Sequence, residues 1–183
     1  FQFYAFGVFI AAGVLLSLGL MTRFSRRTGF LHPTDIYDLA VAVIASGFSG
    51  ARLLYVFQER AYYAVNPIEI FAIWQGGLIF YGGVLGALAG LWCAARVKRI
   101  SYIATLDFLL PFVALTQSFG RIGCFLTGCC YGKFCPQPWG VQFPNVSGPV
   151  HPTQLYEAAF AFALFVFLLR TYFKKPQEGT VMA

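Results

Sequence analysis

Residues 1–22 read FQFYAFGVFIAAGVLLSLGLMT and contain no Asp, Glu, Lys or Arg. A second uncharged run, residues 70–95, reads IFAIWQGGLIFYGGVLGALAGLWCAA. Each run exceeds the roughly 20 apolar residues that an α-helix needs to cross a hydrocarbon core about 30 Å thick. The first run also differs from a signal peptide, which has a shorter apolar stretch, a small-residue cleavage site and a polar mature domain after it. Both runs therefore predict membrane spans.

The composition of the whole chain supports a membrane protein. Of its 183 residues, 58% are hydrophobic and 11% are charged, against roughly 25% charged in ordinary soluble domains. The net charge of +6 does not indicate a nucleic-acid partner. A nucleic-acid binder clusters Lys and Arg with stacking aromatics on one solvated face, whereas here the basic residues fall in short groups between apolar runs. Membrane lipids are the partners that this pattern favours.

Five spans are predicted, near residues 3–22, 36–57, 76–95, 104–121 and 154–173. Backbone groups in lipid must pair within their own segment, so these runs are expected to be helices. The fold class is therefore an all-α, polytopic transmembrane bundle, forming one integral-membrane domain over residues 1–183. The chain starts inside an apolar run without Met and stops just after a basic segment, so we expect it to be incomplete at both ends.

The basic residues predict the orientation of the bundle. Nine of the thirteen lie on alternate connections: Arg23, Arg26, Arg27, Arg96, Lys98, Arg99, Arg170, Lys174 and Lys175. The positive-inside rule makes that side cytoplasmic, so the amino end and the long loop 122–153 face outward. Because this loop is dense in Gly and Pro, we expect a compact irregular lobe there.

Three charged residues are candidates for lipid recognition. Arg121 is expected where the fourth span meets the long loop, and Arg52 near the outward end of the second span. An arginine at this depth normally faces the bundle interior and pairs with an anion. A phosphate fits because the planar guanidinium can bind it in bidentate fashion, although snorkelling to the headgroups is the alternative. Glu157 falls in the first turn of the last span, where pairing with Arg121 or Arg52 would satisfy both charges.

Glycines surround Tyr81 at the outward end of the third span. Gly82 and Gly83 follow it directly, and Gly86 and Gly90 continue a small-residue face. Small residues at four-residue spacing indicate close helix packing; alternatively, they open room beside Tyr81 for a bulky ligand. Tyr81 is either an interfacial aromatic or a catalytic group. A phenol ionises far above neutral pH, so Tyr81 would need a nearby cation such as Arg121 to act as a base.

Four cysteines, Cys124, Cys129, Cys130 and Cys135, form a C-x4-C-C-x4-C cluster on the outward side, apart from Cys93 in a span. In an oxidising compartment clustered cysteines most simply form structural disulfides, so these four are the disulfide candidates. The spacing lacks the paired C-x2-C of common zinc sites. We therefore assign no metal ligands, and a reactive thiol is a third alternative.

The last span is introduced by HPTQLYE, residues 151–157. Thr153 after Pro152 is a plausible helix cap. His151 is the one histidine on the predicted outer side. It could titrate near neutral pH and assist the chemistry, but a lone loop histidine is more often structural or merely solvated.

Four segments together carry a family resemblance. Gly120-Arg121-Ile122-Gly123, followed by Phe125, Gly128 and Gly132, resembles the signature segment of the prolipoprotein diacylglyceryl transferases. Further matches occur in order along the chain: GARL at 50–53, GGLIFYGG at 76–83 and HPTQLYE at 151–157. The resemblance therefore covers nearly the whole sequence.

The resemblance implies a seven-span enzyme of the bacterial inner membrane with an outward amino end and no cofactor. Such an enzyme moves a diacylglyceryl group from phosphatidylglycerol to the lipobox cysteine thiol of a preprolipoprotein signal peptide, forming a thioether and releasing glycerol phosphate. Carried onto this sequence, the catalytic residues are Arg121, which would hold the phosphate, and Tyr81. The lipid-binding set is Arg121, Arg52, Gly82, Gly83 and Glu157, and the supporting residues are Cys124, Gly132 and His151.

The sequence also departs from the family pattern. Tyr81 stands where the best-known members have His, Phe6 where they usually have Tyr, Cys124 where they usually have Asn, and Cys129 where Glu is common. These substitutions leave a second hypothesis, a non-catalytic lipid-binding or accessory subunit of a membrane complex. A redox or metal module built on the outer cysteines is a third.

Overall fold

The computed structural model describes residues 2–72, 74, 76–144 and 146–174. Its elements are α1 (Gln2–Thr28), α2 (Pro33–Gln58), α3 (Arg60–Val65), a 3-10 helix (Pro67–Phe71), α4 (Phe80–Lys98), α5 (Tyr102–Thr127) and α6 (Thr153–Lys174). All except α3 and the 3-10 helix are long and apolar enough to cross a membrane. The predicted five-span helical bundle is thus confirmed. Lys175, one of the basic residues used for the orientation, lies outside the described residues.

Three predicted boundaries were wrong. The first span continues to Thr28 rather than ending at residue 22. The third span begins at Phe80 rather than at residue 76, because Gly76 and Gly77 have φ values of +83° and +76°, which an α-helix cannot contain. The fourth span continues to Thr127 rather than ending at residue 121. The loop lobe therefore starts at Gly128, where φ is +68°. Residues 122–127 belong to a helix and not to the lobe.

The chain divides into two compact units, with Leu106 as the first residue of α5 to join unit 1. Unit 1 holds α1, most of α5, the lobe and α6. Phe112 on α5 lies at its centre, with ring centroids 6.2 Å from those of Phe24 on α1 and Phe165 on α6. Ser17 of α1 donates a hydrogen bond of 3.2 Å to the Phe112 carbonyl. Within unit 1, α5 is therefore the central helix. The candidate site residues Arg121 and Cys124 lie near its carboxyl end.

Unit 2 is built on close backbone packing of α2 against α4. A Cβ atom added at Gly82 would lie 2.5 Å from the carbonyl oxygen of Gly50, and one added at Gly86 would overlap the carbonyl of Ser46. Gly90 likewise leaves room only for the Ser46 side chain. We call this contact the glycine seam. It confirms the helix-packing interpretation of the small-residue face.

One end of unit 2 is closed by a lysine that bridges two carboxylates. The Nζ atom of Lys98 lies 2.6 Å from Oδ1 of Asp35 and 2.7 Å from Oδ2 of Asp38. Lys98 ends α4 and both aspartates lie in the first two turns of α2. These two ion pairs therefore link α2 to α4 at the end of unit 2 that the sequence predicts to be cytoplasmic.

Candidate functional site

Arg121 lies in α5, with a glycine on either side that lets α1 approach. A Cβ atom at Gly120 would meet the Ile10 side chain at 2.9 Å, and one at Gly123 would meet the Phe6 backbone at 3.2 Å. The glycines flanking Arg121 are therefore explained by packing within unit 1. They fix the helix face from which the guanidinium projects.

Of the two partners predicted for Glu157, Arg121 and Arg52, the structure brings Arg121 to it. Nε of Arg121 lies 2.8 Å from Oε2 of Glu157, with 29% and 49% of the two side chains exposed. The Nε–H bond does not point at that oxygen, because Nε has no hydrogen-bond partner by angle. The contact is therefore an ion pair rather than a well-directed hydrogen bond. It occupies the inner nitrogen of the guanidinium and leaves the two terminal nitrogens without a protein acceptor among the described residues.

Three of the four outer cysteines converge next to this ion pair. The sulfurs of Cys124, Cys129 and Cys130 all lie within 4.8 Å of one another, and Cys124 follows Arg121 by three residues on α5, which makes the two side chains neighbours on one helix face. Cys130 has a φ of +63°, so the chain turns back and brings its sulfur 3.5 Å from that of Cys129. Cys135 is buried outside this group. All five cysteines are free thiols in the structure, so the disulfide pairing stays a prediction.

The two loop thiols differ in their pKa. A hydrogen bond between the Thr127 hydroxyl and the Cys129 sulfur, at 3.4 Å, is the main cause that lowers the pKa of Cys129 below its usual range. The pKa of Cys130 is raised, chiefly because its thiol donates to the Cys129 sulfur and would lose that bond on ionising. Cys129 is thus the thiol of this pair that ionises first as the pH rises.

The start of α6 holds in place the turn formed by Cys129 and Cys130, which we call the cysteine turn. Gln154 is fully buried, and its Nε2 donates a hydrogen bond of 2.6 Å to the Cys129 carbonyl. The Thr153 hydroxyl donates to the Cys130 carbonyl at 3.0 Å, so this side chain secures the turn, and its role as a helix cap stays a prediction. The backbone N–H of Gly132 donates to the His151 carbonyl at 2.9 Å. Gly132 is needed for this close approach, because a Cβ there would lie 2.7 Å from Thr153.

The role of Gln154 was not predicted, although the sequence carries a signal for it. Gln154, Ala158, Ala161 and Phe165 recur at helical spacing and are the buried residues of α6. A primary amide on such a face needs a hydrogen-bond partner. His151, by contrast, is only partly buried, and its Nδ1 lies 3.4 Å from the Tyr156 hydroxyl. That contact favours a structural role for His151.

Arg52 is held by backbone carbonyls rather than by a carboxylate. The side chain is 6% exposed, and its N–H groups donate to five carbonyls, those of Ile70, Glu69, Ala72, Gly76 and Gly77, at 2.7–3.3 Å. Its Cζ also lies 5.7 and 5.5 Å from the ring centroids of Tyr55 and Tyr63. A guanidinium has five N–H donors, so Arg52 is fully engaged by these five carbonyls.

Tyr81 lies in the first turn of α4 and is 74% exposed. Its ring packs edge-on against Phe80 at 5.8 Å, and its hydroxyl makes no hydrogen bond among the described residues of unit 2. The neighbouring glycines divide in role. Gly82 is buried in the glycine seam, so the space there is filled by α2. Gly83 lines an open apolar groove of about 450 Å³ between α2 and α4, together with Phe48, Leu78, Ile79, Phe80 and Val84.

The chain was compared with known proteins. The family described as "Prolipoprotein diacylglyceryl transferase" matches residues 1–183. A phosphatidylglycerol–prolipoprotein diacylglyceryl transferase of Clostridium tetani is 36% identical, over 100% of this chain and 74% of that protein. Proteins with the same name are 34% identical in Geobacter sulfurreducens, over 98% of this chain and 71% of the relative, and 33% identical in Bordetella parapertussis, over 97% and 69%.

Proposed function

This chain belongs to the prolipoprotein diacylglyceryl transferase family, and from that premise we propose how its residues perform the transfer. The enzyme moves a diacylglyceryl group from phosphatidylglycerol to the cysteine thiol of a lipoprotein precursor. The sulfur forms a bond to the glycerol carbon, the bond from that carbon to the phosphate oxygen breaks, and glycerol phosphate leaves. The preprolipoprotein signal peptide presents the lipobox cysteine, and membrane lipids surround the site.

The mechanism rests on one observation: Glu157 contacts only the Nε atom of the Arg121 guanidinium. Glu157 contacts the inner nitrogen, so the terminal N–H groups are free to bind two phosphate oxygens in the bidentate geometry that arginine favours. Negative charge grows on the phosphate as the carbon–oxygen bond breaks. A fixed positive charge at that point stabilises the transition state more than the bound lipid, and removing one such group typically costs about 2.7–4 kcal/mol, or 10²–10³ in rate.

Glu157 acts mainly by orienting Arg121. Because both side chains are partly exposed, neutralising the guanidinium costs only about 1 kcal/mol of phosphate attraction in a high-dielectric setting. A misplacement of 1 Å, by comparison, can cost about 10² in rate. Orientation therefore outweighs neutralisation, and Glu157 is a positioning residue.

The lipid tails and the remaining site residues are assigned from unit 2. The apolar groove lined by Gly83 suits an acyl chain. Arg52 is assigned to holding the backbone carbonyls of residues 69, 70, 72, 76 and 77 in unit 2 and not to binding phosphate. Tyr81 is proposed to receive or relay the proton of the attacking thiol. Cys124, Gly132 and His151 support the Arg121 region through the cysteine turn, and Gly82 supports unit 2 through the glycine seam.

We also propose that the protein lies in the bacterial inner membrane with loop 128–152 on the outer face. The alternation of basic connections supports this orientation. Lipoprotein precursors present their lipobox cysteine at that face, so Arg121 and the acceptor thiol would meet there.

The test is transfer from labelled phosphatidylglycerol to a lipobox peptide by the full-length protein in lipid nanodiscs. Arg121→Ala is expected to lower kcat/KM at least 100-fold, and Arg121→Lys by about 10-fold or more, since lysine keeps the charge but loses the bidentate fork. Arg170→Ala, an exposed position at the other end of α6, should leave the rate unchanged. Transfer by Arg121→Ala within threefold of the unmodified protein would contradict the mechanism. Phosphatidylglycerol binding without transfer by the unmodified protein would instead favour the accessory-subunit hypothesis.

A further inference from the structure

The three converging sulfurs have the spacing of a metal-thiolate site. Zinc bound to thiolates has Zn–S distances of about 2.3 Å in a tetrahedron, which places the sulfurs about 3.8 Å apart. The sulfurs of Cys124, Cys129 and Cys130 lie within 4.8 Å of one another, and those of Cys129 and Cys130 are 3.5 Å apart. Small rotamer changes would therefore bring all three onto one ion.

A disulfide explains this cluster less well. A disulfide usually needs Cα atoms 4.4–6.8 Å apart, and adjacent residues across a trans peptide are about 3.8 Å apart. A bond between Cys129 and Cys130 is thus disfavoured. A bond from Cys124 to either of them would use two sulfurs and leave the third without a function. Cys135, the fourth candidate, is buried outside the group.

We propose that Cys124, Cys129 and Cys130 bind one zinc ion, whose open fourth position takes the acceptor thiol of the lipoprotein precursor. This inference rests on the proposed function, because it assigns a position to the nucleophile of that reaction. Three protein ligands and one open position are the usual arrangement of a catalytic zinc site.

The protein fixes the ligands from two directions. Cys124 stands on α5, the central helix of unit 1, and is held by helical hydrogen bonds. The carbonyls of Cys129 and Cys130 accept hydrogen bonds from Gln154 and Thr153 at the start of α6. The left-handed backbone at Cys130, with φ of +63°, is uncommon for a residue other than glycine. It directs two consecutive side chains to one point, where an ordinary extended chain would send them to opposite sides.

The open side of the cluster faces away from the protein core. Cys129 and Cys130 are exposed and Cys124 is partly exposed, so an outside ligand can reach the ion. Cys124 is one helical turn from Arg121, so a sulfur held there would stand beside the proposed phosphate site. On binding, the acceptor thiol releases its proton, which Tyr81 relays to solvent. Its sulfur then attacks the glycerol carbon while the carbon–oxygen electron pair leaves with the phosphate.

The first experiment measures metal binding without activity. The full-length protein is reduced, stripped with a chelator and reloaded with Zn²⁺ or Co²⁺ in detergent. We expect one zinc per chain by elemental analysis and sulfur-to-cobalt charge-transfer absorption. Cys129→Ser, or the triple Ser variant, should lose at least nine-tenths of the bound metal, with helicity confirming the fold, whereas Cys93→Ser should bind as the unmodified protein does. Equal binding by the triple variant, or a Cys124 disulfide in protein isolated without reductant, would overturn the proposal.

The second experiment tests the open position. A lipobox peptide should raise the cobalt charge-transfer intensity, because three sulfur ligands become four, and a peptide with Ser in place of Cys should not. Stripping the metal should lower transfer at least 10-fold, and zinc should restore it. An unchanged spectrum, or full activity of the stripped protein, would refute the acceptor role even if zinc binds. Spectral changes with no transfer under any metal condition would instead count against the proposed function alone.

Discussion

The glycine seam allows a sharp test in which two variants on the same helix should behave in opposite ways. In Gly50→Ala, the new Cβ would overlap the Gly82 carbonyl oxygen and lie 2.8 Å from the Cα of Gly86. In Gly47→Ala, one turn earlier, it would lie 3.5 Å from the Gly83 oxygen and 3.6 Å from the Ala87 Cβ, which is ordinary contact. The neighbours of Gly50 are backbone atoms and cannot rotate away.

The expected cost follows from these distances. Carbon atoms in contact usually lie about 3.5–4.0 Å apart, so Gly50→Ala must separate α2 and α4 by roughly 1 Å. Overpacking of this kind costs about 1–3 kcal/mol, and the lost dispersion along the seam adds to it. The helix-propensity gain of Gly→Ala is common to both variants and cancels in their difference. Gly50→Ala should therefore be about 2–3 kcal/mol less stable than Gly47→Ala.

The difference can be measured by thermal unfolding in detergent, followed by circular dichroism. At about 2–4 °C per kcal/mol for a chain of this size, it corresponds to a Tm gap of about 5–10 °C. Gly47→Ala should unfold at or slightly above the Tm of the unmodified protein. A Gly50→Ala variant that unfolds at the same temperature as Gly47→Ala would show that the two helices are not in backbone contact.

Three further perturbations follow from the contacts described above. Arg52→Lys supplies three donors for five carbonyls, and each carbonyl left without a donor costs about 1–3 kcal/mol. Proteolysis within residues 66–77 should therefore accelerate about 10-fold. An unchanged rate would show that the hydrogen bonds from Arg52 do not hold this segment. Glu157→Ala should lower kcat/KM for transfer about 10-fold, while Glu157→Gln, which keeps an acceptor for Arg121, should stay within about threefold; equal losses would mean that charge and not position matters. Lys98→Gln should lower the Tm at low salt and change it much less in 1 M NaCl, because salt screens exposed ion pairs; an equal loss at both salt concentrations would point to packing and not charge.

The sequence predicted the number and type of spans because the lipid core leaves so few alternatives. It failed where glycine is ambiguous. Gly76 and Gly77 adopt left-handed conformations and delay α4, whereas Gly120 and Gly123 stay helical and admit α1. A glycine permits either outcome, and only the neighbouring helix decides between them.

The sequence predicted the ion pair of the candidate site but not the convergence of its three thiols. A carboxylate in an apolar helix needs a cation, and this requirement found the Arg121–Glu157 pair. The convergence of the three thiols depends on α5 continuing past Arg121 and on the left-handed turn at Cys130. Neither feature leaves a periodic signal in the sequence. The role of Arg52 was also hidden, because its partners are carbonyls, which every residue possesses.

The seam between α2 and α4 also limits how a phospholipid could reach unit 2. Two helices in close backbone contact cannot slide or separate without breaking contacts along several turns. We therefore expect α2 and α4 to move as one rigid unit. The groove lined by Gly83 opens at the surface of this helix pair. An acyl chain would therefore enter the groove laterally from the surrounding bilayer, without separation of α2 from α4.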